Sequence, residues 1–119
     1  MTQLSFAPEW DVTQWLGAGA PANLAALRGR VAVATAFQML CPGCVEHSLP
    51  QLQKVQALFP KSDVAVLGLH TVFEHHEAMG PKALAAFMHE YRIAFPVAVD
   101  RPGAPGDPIP STMRTYQMQ

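Results

Sequence analysis

Hydrophobic and polar positions follow two different periods along the chain, and their order predicts a βαβ unit. Residues Arg30–Phe37 (RVAVATAF) and Asp63–Thr71 (DVAVLGLHT) are apolar on both faces, which is typical of strands covered on both sides in a parallel sheet. Between them, from Cys41 to Pro60, apolar residues recur every three to four positions, as in an amphipathic helix. We therefore expect two parallel strands joined by a right-handed helical crossover.

The second half of the chain predicts a helix, a strand, a loop and a last helix. Pro81 occupies a typical first helical position, and the apolar spacing after it indicates a helix to about Arg92. Phe95–Asp100 (FPVAVD) is predicted to be a third strand. Arg101–Pro110 contains four prolines and two glycines, so it is predicted to be a loop. Ser111 can then cap a short final helix.

Residues 1–29 show no sustained period, because prolines and glycines interrupt short apolar pieces. We predict an irregular lead-in with one helical turn at Asn23–Leu27. A chain of 119 residues has the length of one domain, so residues 1–119 are expected to form a single domain.

Composition and charge narrow the class of protein. Half of the residues are apolar and 14% are charged, so the chain is expected to fold. The net charge is −1 and the cationic residues are scattered, which argues against nucleic acid and membrane surfaces as partners. The longest apolar run, Val31–Phe37, is far shorter than the roughly 20 residues of a membrane span, and the N-terminus lacks the pattern of a signal peptide. We therefore expect a cytoplasmic protein.

The candidate chemistry lies at the CPGC motif, where the first predicted strand turns into the first predicted helix. A helix N-terminus carries free N–H groups and partial positive charge, which stabilise a thiolate and lower the pKa of a cysteine placed there. Cys41 is therefore the candidate nucleophile. Cys44, one turn later, is placed to attack a mixed disulfide on Cys41 and release the product.

Two other interpretations of the cysteine pair exist. A structural disulfide closing so short a loop would constrain the unfolded chain by only about 2 kcal/mol, which makes stabilisation a weak reason for this spacing. A zinc site needs four ligands, and with two cysteines in the chain only histidines could complete it. No metal site is therefore predicted, although a redox-sensing or metal-sensing module that uses the cysteines and histidines remains an alternative function.

The strand, CPGC and helix, followed by VLGLHTVF, FPVAVD and TMRTYQM in that order, resemble a thioredoxin-fold protein of the TlpA/ResA redoxin group. The resemblance covers about residues 20–119. It implies an α/β, thioredoxin-like fold with a parallel βαβ core and an inserted helix and strand. It also implies that Cys41 attacks and Cys44 resolves.

The chain departs from the family pattern in two respects around the motif. Leu40 stands where many members have an aromatic residue, and Thr35 and His47 stand where members carry a buried acid. We therefore expect His47, three residues after Cys44, to transfer the proton to and from that cysteine.

A third departure concerns the end of the chain. Family members reach a cis-proline strand just after a segment like TYQMQ, whereas this sequence stops at Gln119. We expect it to be a fragment without the terminal hairpin and last helix. The strand at Arg30–Phe37 would then present an unpaired edge that favours aggregation or pairing with another chain.

Candidate substrate contacts surround the cysteine pair. Parallel strands end at the same edge of a sheet, so the segment after the second strand, which is rich in histidine, is expected beside CPGC. The predicted substrate-binding residues are Leu40, Pro42, Gly43, His70 and Phe73.

Peroxide reduction is an alternative activity, because peroxiredoxins share this fold. Their motif has a proline seven residues and a threonine or serine three residues before the attacking cysteine. Counting back from Cys41 gives Ala34 and Gln38, and counting back from Cys44 gives Phe37 and Cys41, so the motif is absent at both. A dithiol peroxidase remains an alternative function, because a low-pKa thiolate reacts with peroxide to some degree in any case.

The sequence thus predicts a thiol–disulfide oxidoreductase. Its expected partners are protein or small-molecule disulfides and a thiol electron donor, and no cofactor is expected.

Overall fold

A computed structural model describes residues 5–119 as one twisted sheet with short helices. The four strands are β1 (Val12–Leu16), β2 (Val31–Phe37), β3 (Val64–His70) and β4 (Val97–Asp100). The helices are α1 (Leu49–Leu58), which continues a π-helical turn at Cys44–Ser48, α2 (Pro81–Glu90) and α3 (Ser111–Thr115), with 3₁₀ turns at Leu24–Leu27 and His76–Ala78.

The sheet has the order β1-β4-β3-β2. Strands β2, β3 and β4 are parallel, and β2 pairs with β3 along its whole length, from Val31 opposite Val64 to Phe37 opposite His70. The three parallel strands and the first two helices therefore lie where the hydrophobic pattern predicts them. The predicted loop between β4 and α3 and the helical turn after Asn23, whose side chain accepts the Ala26 N–H, are also present.

Two expectations were wrong. The predicted irregular lead-in contains β1, which pairs antiparallel with β4 and has a register shift between Val12 and Gln14. Ser111 does not cap α3 but is its first residue, and its hydroxyl donates to Asp11 Oδ2 at 2.8 Å. The last helix is thereby tied to the segment that leads into β1.

The main core lies between one face of the sheet and the helices α1 and α2. Its buried members come from three strands, two helices and the segment before β4: Phe37, Leu49, Leu52, Val66, Leu84, Met88, Phe95 and Val97. A smaller cluster on the other face joins Ala65 and Leu67 of β3 to Leu27, with Trp10, Trp15 and Leu24 packed against it. The N-terminal segment therefore covers the face that the helices leave open, and β3 is buried on both faces, as its sequence predicts.

None of the helices within residues 5–119 combines the length and apolar character needed to cross a bilayer.

Candidate active site

The two cysteines lie just beyond the carboxyl end of β2. The backbone N–H of Cys41 donates to the Gln38 carbonyl at 3.2 Å and closes a turn, and its own carbonyl accepts the Val45 N–H at 3.1 Å, which starts the helix. Cys41 therefore stands at the helix N-terminus, as predicted from the sequence.

A π-helical turn begins at Cys44. The Leu49 N–H donates to the Cys44 carbonyl, five residues back. Pro50 follows directly; it has no N–H to donate to Glu46, so the ordinary helical hydrogen-bond pattern is broken there and the helix widens. Pro50 is the sequence signal that could have predicted this turn.

The electrostatics of the pair favour a thiolate on Cys41. Both cysteines are free thiols. The hydrogen bond donated by the Cys44 thiol lowers the pKa of Cys41, and the backbone N–H groups of Cys44 and Gly43 lower it further, while slight burial and the charge of Glu74 oppose them. The Cys44 N–H lies 3.4 Å from Cys41 Sγ. The backbone at the helix start and the neighbouring thiol together stabilise the negative charge.

Cys44 has the opposite tendency. Burial raises the pKa of the Cys44 thiol, and its hydrogen bond to Cys41 raises it further, because giving up that proton would also give up the bond. The two thiols of one motif therefore differ in chemistry: Cys41 is the one that ionises readily, and Cys44 holds its proton.

Three predicted contact residues form an exposed rim beside the cysteines. Leu40 is 58% exposed, and Pro42 and Gly43 are exposed on the outer side of the turn. Nothing lies within 4 Å of the position where a Cβ on Gly43 would be. Phe73, 37% exposed, follows β3 and lies on the cavity that both cysteines line.

That cavity has a volume of about 360 Å³ and is mainly apolar. Besides the cysteines and Phe73, its walls include Phe37 at the end of β2 and two methionines that the sequence analysis did not connect with the site, Met113 and Met118. They come from the region of α3, more than sixty residues after CPGC, and no local pattern reveals such a long-range contact.

His70 is buried and not part of the exposed rim. It is 1% exposed, its ring packs against Phe37 with centroids 5.2 Å apart, and its Nε2 accepts the Met39 N–H at 3.4 Å. Burial lowers the pKa of His70 to about 4. Contrary to the expected substrate contact, His70 supports the turn before Cys41 from beneath.

His47 is exposed on the π-helical turn. Among residues 5–119, no hydrogen bond joins its ring to either cysteine. The structure therefore gives no contact through which His47 would exchange a proton with Cys44.

The other histidines after β3 do not gather into a metal centre. His75 has a left-handed backbone (φ 49°), and His76 Nε2 lies 3.0 Å from the Pro108 carbonyl. Within the described part of the chain, no group of three or more His, Cys, Asp or Glu side chains could hold a metal ion.

Two buried polar residues, Gln38 and Asp100, hold the site together, although no sequence pattern indicates either of them. The Gln38 side chain accepts the Phe73 N–H at 3.1 Å and so joins the loops after β2 and β3. The Asp100 carboxylate accepts the Thr71 hydroxyl at 2.8 Å and the N–H groups of Thr112 and Met113 at 2.8 and 3.1 Å. Asp100 thereby fixes α3 against the strand ends near the cysteines.

Comparison with known proteins gives consistent matches. A model of the AhpC/TSA family matches residues 5–107. A crystal structure of a thioredoxin-like superfamily protein is 60% identical, with a TM-score of 0.90, and the match covers 95% of this chain and 72% of that chain. A thiol-disulfide isomerase from Corynebacterium glutamicum is 49% identical, with a TM-score of 0.87, and the match covers 92% of this chain and 70% of that chain. Among curated proteins, no sequence matches this one.

Proposed function

Since this chain belongs to the AhpC/TSA family and is a thioredoxin-like redoxin, we propose that it is a thiol–disulfide oxidoreductase in which Cys41 attacks and Cys44 resolves. The observation that carries this proposal is the opposite pKa tendency of two hydrogen-bonded thiols at one helix N-terminus. The similarity to a thiol-disulfide isomerase supports the same class of reaction.

The first step is attack on a substrate disulfide. The Cys41 thiolate forms a bond to one substrate sulfur, and the substrate S–S bond breaks. The other substrate sulfur leaves as a thiolate and takes a proton from solvent. Cys41 is suited to this step because hydrogen bonds from the Cys44 thiol and from backbone N–H groups at the helix start lower its pKa, and so favour the thiolate, while the residue remains partly exposed.

The second step releases the product. Once Cys41 is in the mixed disulfide, it no longer accepts a hydrogen bond as a thiolate, so one cause of the raised Cys44 pKa is removed. Cys44 then loses its proton to solvent, and its sulfur bonds to Cys41 Sγ as the mixed disulfide breaks. The second substrate sulfur leaves as a thiolate and takes a proton from solvent, a Cys41–Cys44 disulfide remains, and two electrons have passed to the substrate. A thiol donor restores the reduced pair.

The exposed rim indicates how a disulfide approaches. Leu40 and Phe73 offer apolar surface beside Cys41, and the exposed backbone of Pro42 and Gly43 leaves the sulfur open on that side. We infer that the substrates are protein or small-molecule disulfides with apolar groups near the sulfur, reduced in the cytoplasm.

Insulin reduction by dithiothreitol tests the proposal. We expect the wild-type chain to accelerate insulin precipitation, Cys41→Ser to abolish the acceleration, and Cys44→Ser to accumulate a mixed disulfide detectable by mass spectrometry. His47→Ala, an exposed change, should retain the activity and the pH profile of the wild type. Acceleration that persists in Cys41→Ser would contradict the assignment.

A further inference from the structure

The cavity beside the cysteines brings together four sulfur-containing side chains. Cys41 and Cys44 line it together with Met113 and Met118 from the region of α3. We propose that this cavity binds a monovalent copper ion, Cu(I), through the two cysteine thiolates and methionine thioether sulfur.

The backbone of both methionines is held in place. The Met113 N–H donates to the buried Asp100 carboxylate at 3.1 Å, which fixes the start of α3. After α3, the left-handed conformation of Gln117 (φ 54°) reverses the chain, and the Met118 N–H donates to the Met113 carbonyl at 3.0 Å. This helix-ending turn brings both methionines into the lining of the same cavity.

The donor set selects the metal. Thiolate and thioether sulfur are soft ligands that favour Cu(I), whereas structural zinc is completed by cysteine, histidine or carboxylate. Within residues 5–119, no third side chain of the zinc-binding types joins the two cysteines to form such a group. The methionines therefore distinguish this site from an incomplete zinc site.

The rest of the lining suits an ion of low charge. Phe37, Phe73 and Ala36 contribute apolar surface, the other residues of the lining, Gln38, Thr71 and Gln119, are polar but uncharged, and the volume of about 360 Å³ leaves room for the ion and for movement of the methionine side chains. Burial against apolar groups disfavours a doubly charged ion more than a singly charged one. Binding replaces the thiol protons by the metal, so up to two protons are released and the oxidation state of copper does not change.

The site does not depend on the proposed exchange reaction, although it uses the same cysteines. A chain inactive toward insulin could still bind Cu(I), and an active reductase could fail to bind it. The two proposals are therefore tested separately.

Anaerobic competition with bicinchoninate, using Cu(I) alone as the probe, tests the site. We expect one Cu(I) per chain in the wild type and loss of the site in Cys41→Ser. The double variant Met113→Leu/Met118→Leu keeps apolar side chains of similar size, and we expect its affinity to fall by about tenfold or more. Met79→Leu is the matched control, because Met79 lines a different cavity with no cysteine, and it should bind as the wild type does.

A second measurement keeps the proposal testable if the buried Met113 change disturbs folding. Met118 is only partly buried, so Met118→Leu alone should fold normally by circular dichroism. X-ray absorption of its Cu(I) complex should show fewer sulfur neighbours than that of the wild type. Absence of Cu(I) binding by the wild type, equal affinity of wild type and double variant, an equal loss in Met79→Leu, or an unchanged sulfur count in Met118→Leu would each overturn the proposal.

Discussion

At the scale of single residues, the site depends on a difference between two identical side chains. Cys41 is placed where backbone N–H groups converge, whereas Cys44 is more deeply buried on the following turn. The hydrogen bond between them lowers one pKa and raises the other, so a single contact contributes to both roles. Residue type and spacing therefore indicate the cysteine pair, whereas the difference between the pKa values of the two thiols also depends on burial.

His70 makes stability depend on pH. Its pKa is about 4 in the folded chain and 6.5 when unperturbed, so the unfolded state binds a proton that the folded state excludes. The free energy of unfolding is therefore unaffected by this histidine above pH 6.5. It falls by about 3 kcal/mol as the pH drops from 6.5 toward 4. Protonation would also put a second donor opposite the Met39 N–H.

Urea unfolding at pH 7 and pH 4.5 measures this effect. We expect His70→Asn, which has no titrating group, to lose less stability on acidification than the wild type. His47→Asn is the control, because His47 is exposed. Equal acid sensitivity of wild type and His70→Asn would show that His70 is not the group responsible.

At the scale of elements, β3 is the strand on which the others are arranged. It pairs with β2 and β4 and is buried on both faces, and core side chains lie so close to Gly68 that an added side chain would not fit easily. A Cβ on Gly68 would lie 3.1 Å from Val97 Cγ2 and 3.2 Å from the rings of Phe37 and Phe95. The glycine lets three core side chains meet above the strand.

We predict that Gly68→Ala destabilises the fold by about 1–3 kcal/mol, because aromatic rings on either side must shift to admit the methyl group. Equilibrium denaturation measures the loss. Gly80→Ala serves as control, since nothing lies within 4 Å of its Cβ position, and should cost much less. A Gly68→Ala variant as stable as the control would mean that the core has more room than the structure shows.

At the scale of the whole molecule, the sequence predicts the parallel core well. The thioredoxin-like fold is confirmed by the similarity to solved structures. β3, α1 and α2 carry the apolar patterns that burial imposes. β2 was expected to be covered on both faces, but Phe37 is its only buried residue, because β2 pairs only with β3 within residues 5–119. β1 was not predicted, because it has only five residues and two of them, Thr13 and Gln14, are polar and exposed. Its strand conformation comes from pairing with β4.

The cysteine pair at the centre of the candidate site was located from the sequence, whereas the polar residues and methionines around it were not. The CPGC motif, which follows a predicted strand and begins a predicted helix, indicates a reactive cysteine pair at that junction. Gln38 contacts Phe73 across 35 residues, and the two cavity methionines lie more than sixty residues after CPGC. Asp100 bonds to residues 12, 13 and 29 positions away, and no local spacing reveals any of these contacts. His70 was identified as part of the site, but only its burial shows that it supports the turn instead of meeting a substrate.

The edge of the sheet gives a prediction about association. In the described part of the chain, β2 pairs only with β3, and its first residue, Val31, is 62% exposed. Unpaired edge strands recruit other chains, so we expect the 119-residue chain to self-associate with increasing concentration.

Light scattering tests this association. Val31→Lys places a charge on the edge and should lower the average mass at a given concentration. Leu58→Lys makes the same chemical change at an exposed helical position and should have little effect. Equal effects of the two changes, or a wild type that stays monomeric at all concentrations, would contradict a role for this edge.

We propose that Cys41 is the nucleophile because the neighbouring Cys44 thiol and the helix start stabilise its thiolate. The pH dependence of iodoacetamide alkylation, followed for each cysteine by mass spectrometry, tests it most directly. We expect a midpoint for Cys41 below the value of about 8.5 for free cysteine, a higher midpoint in Cys44→Ala, and a smaller rise in Cys44→Ser, which keeps a hydroxyl donor. A wild-type midpoint at or above that of free cysteine would show that the Cys41 thiolate is not stabilised.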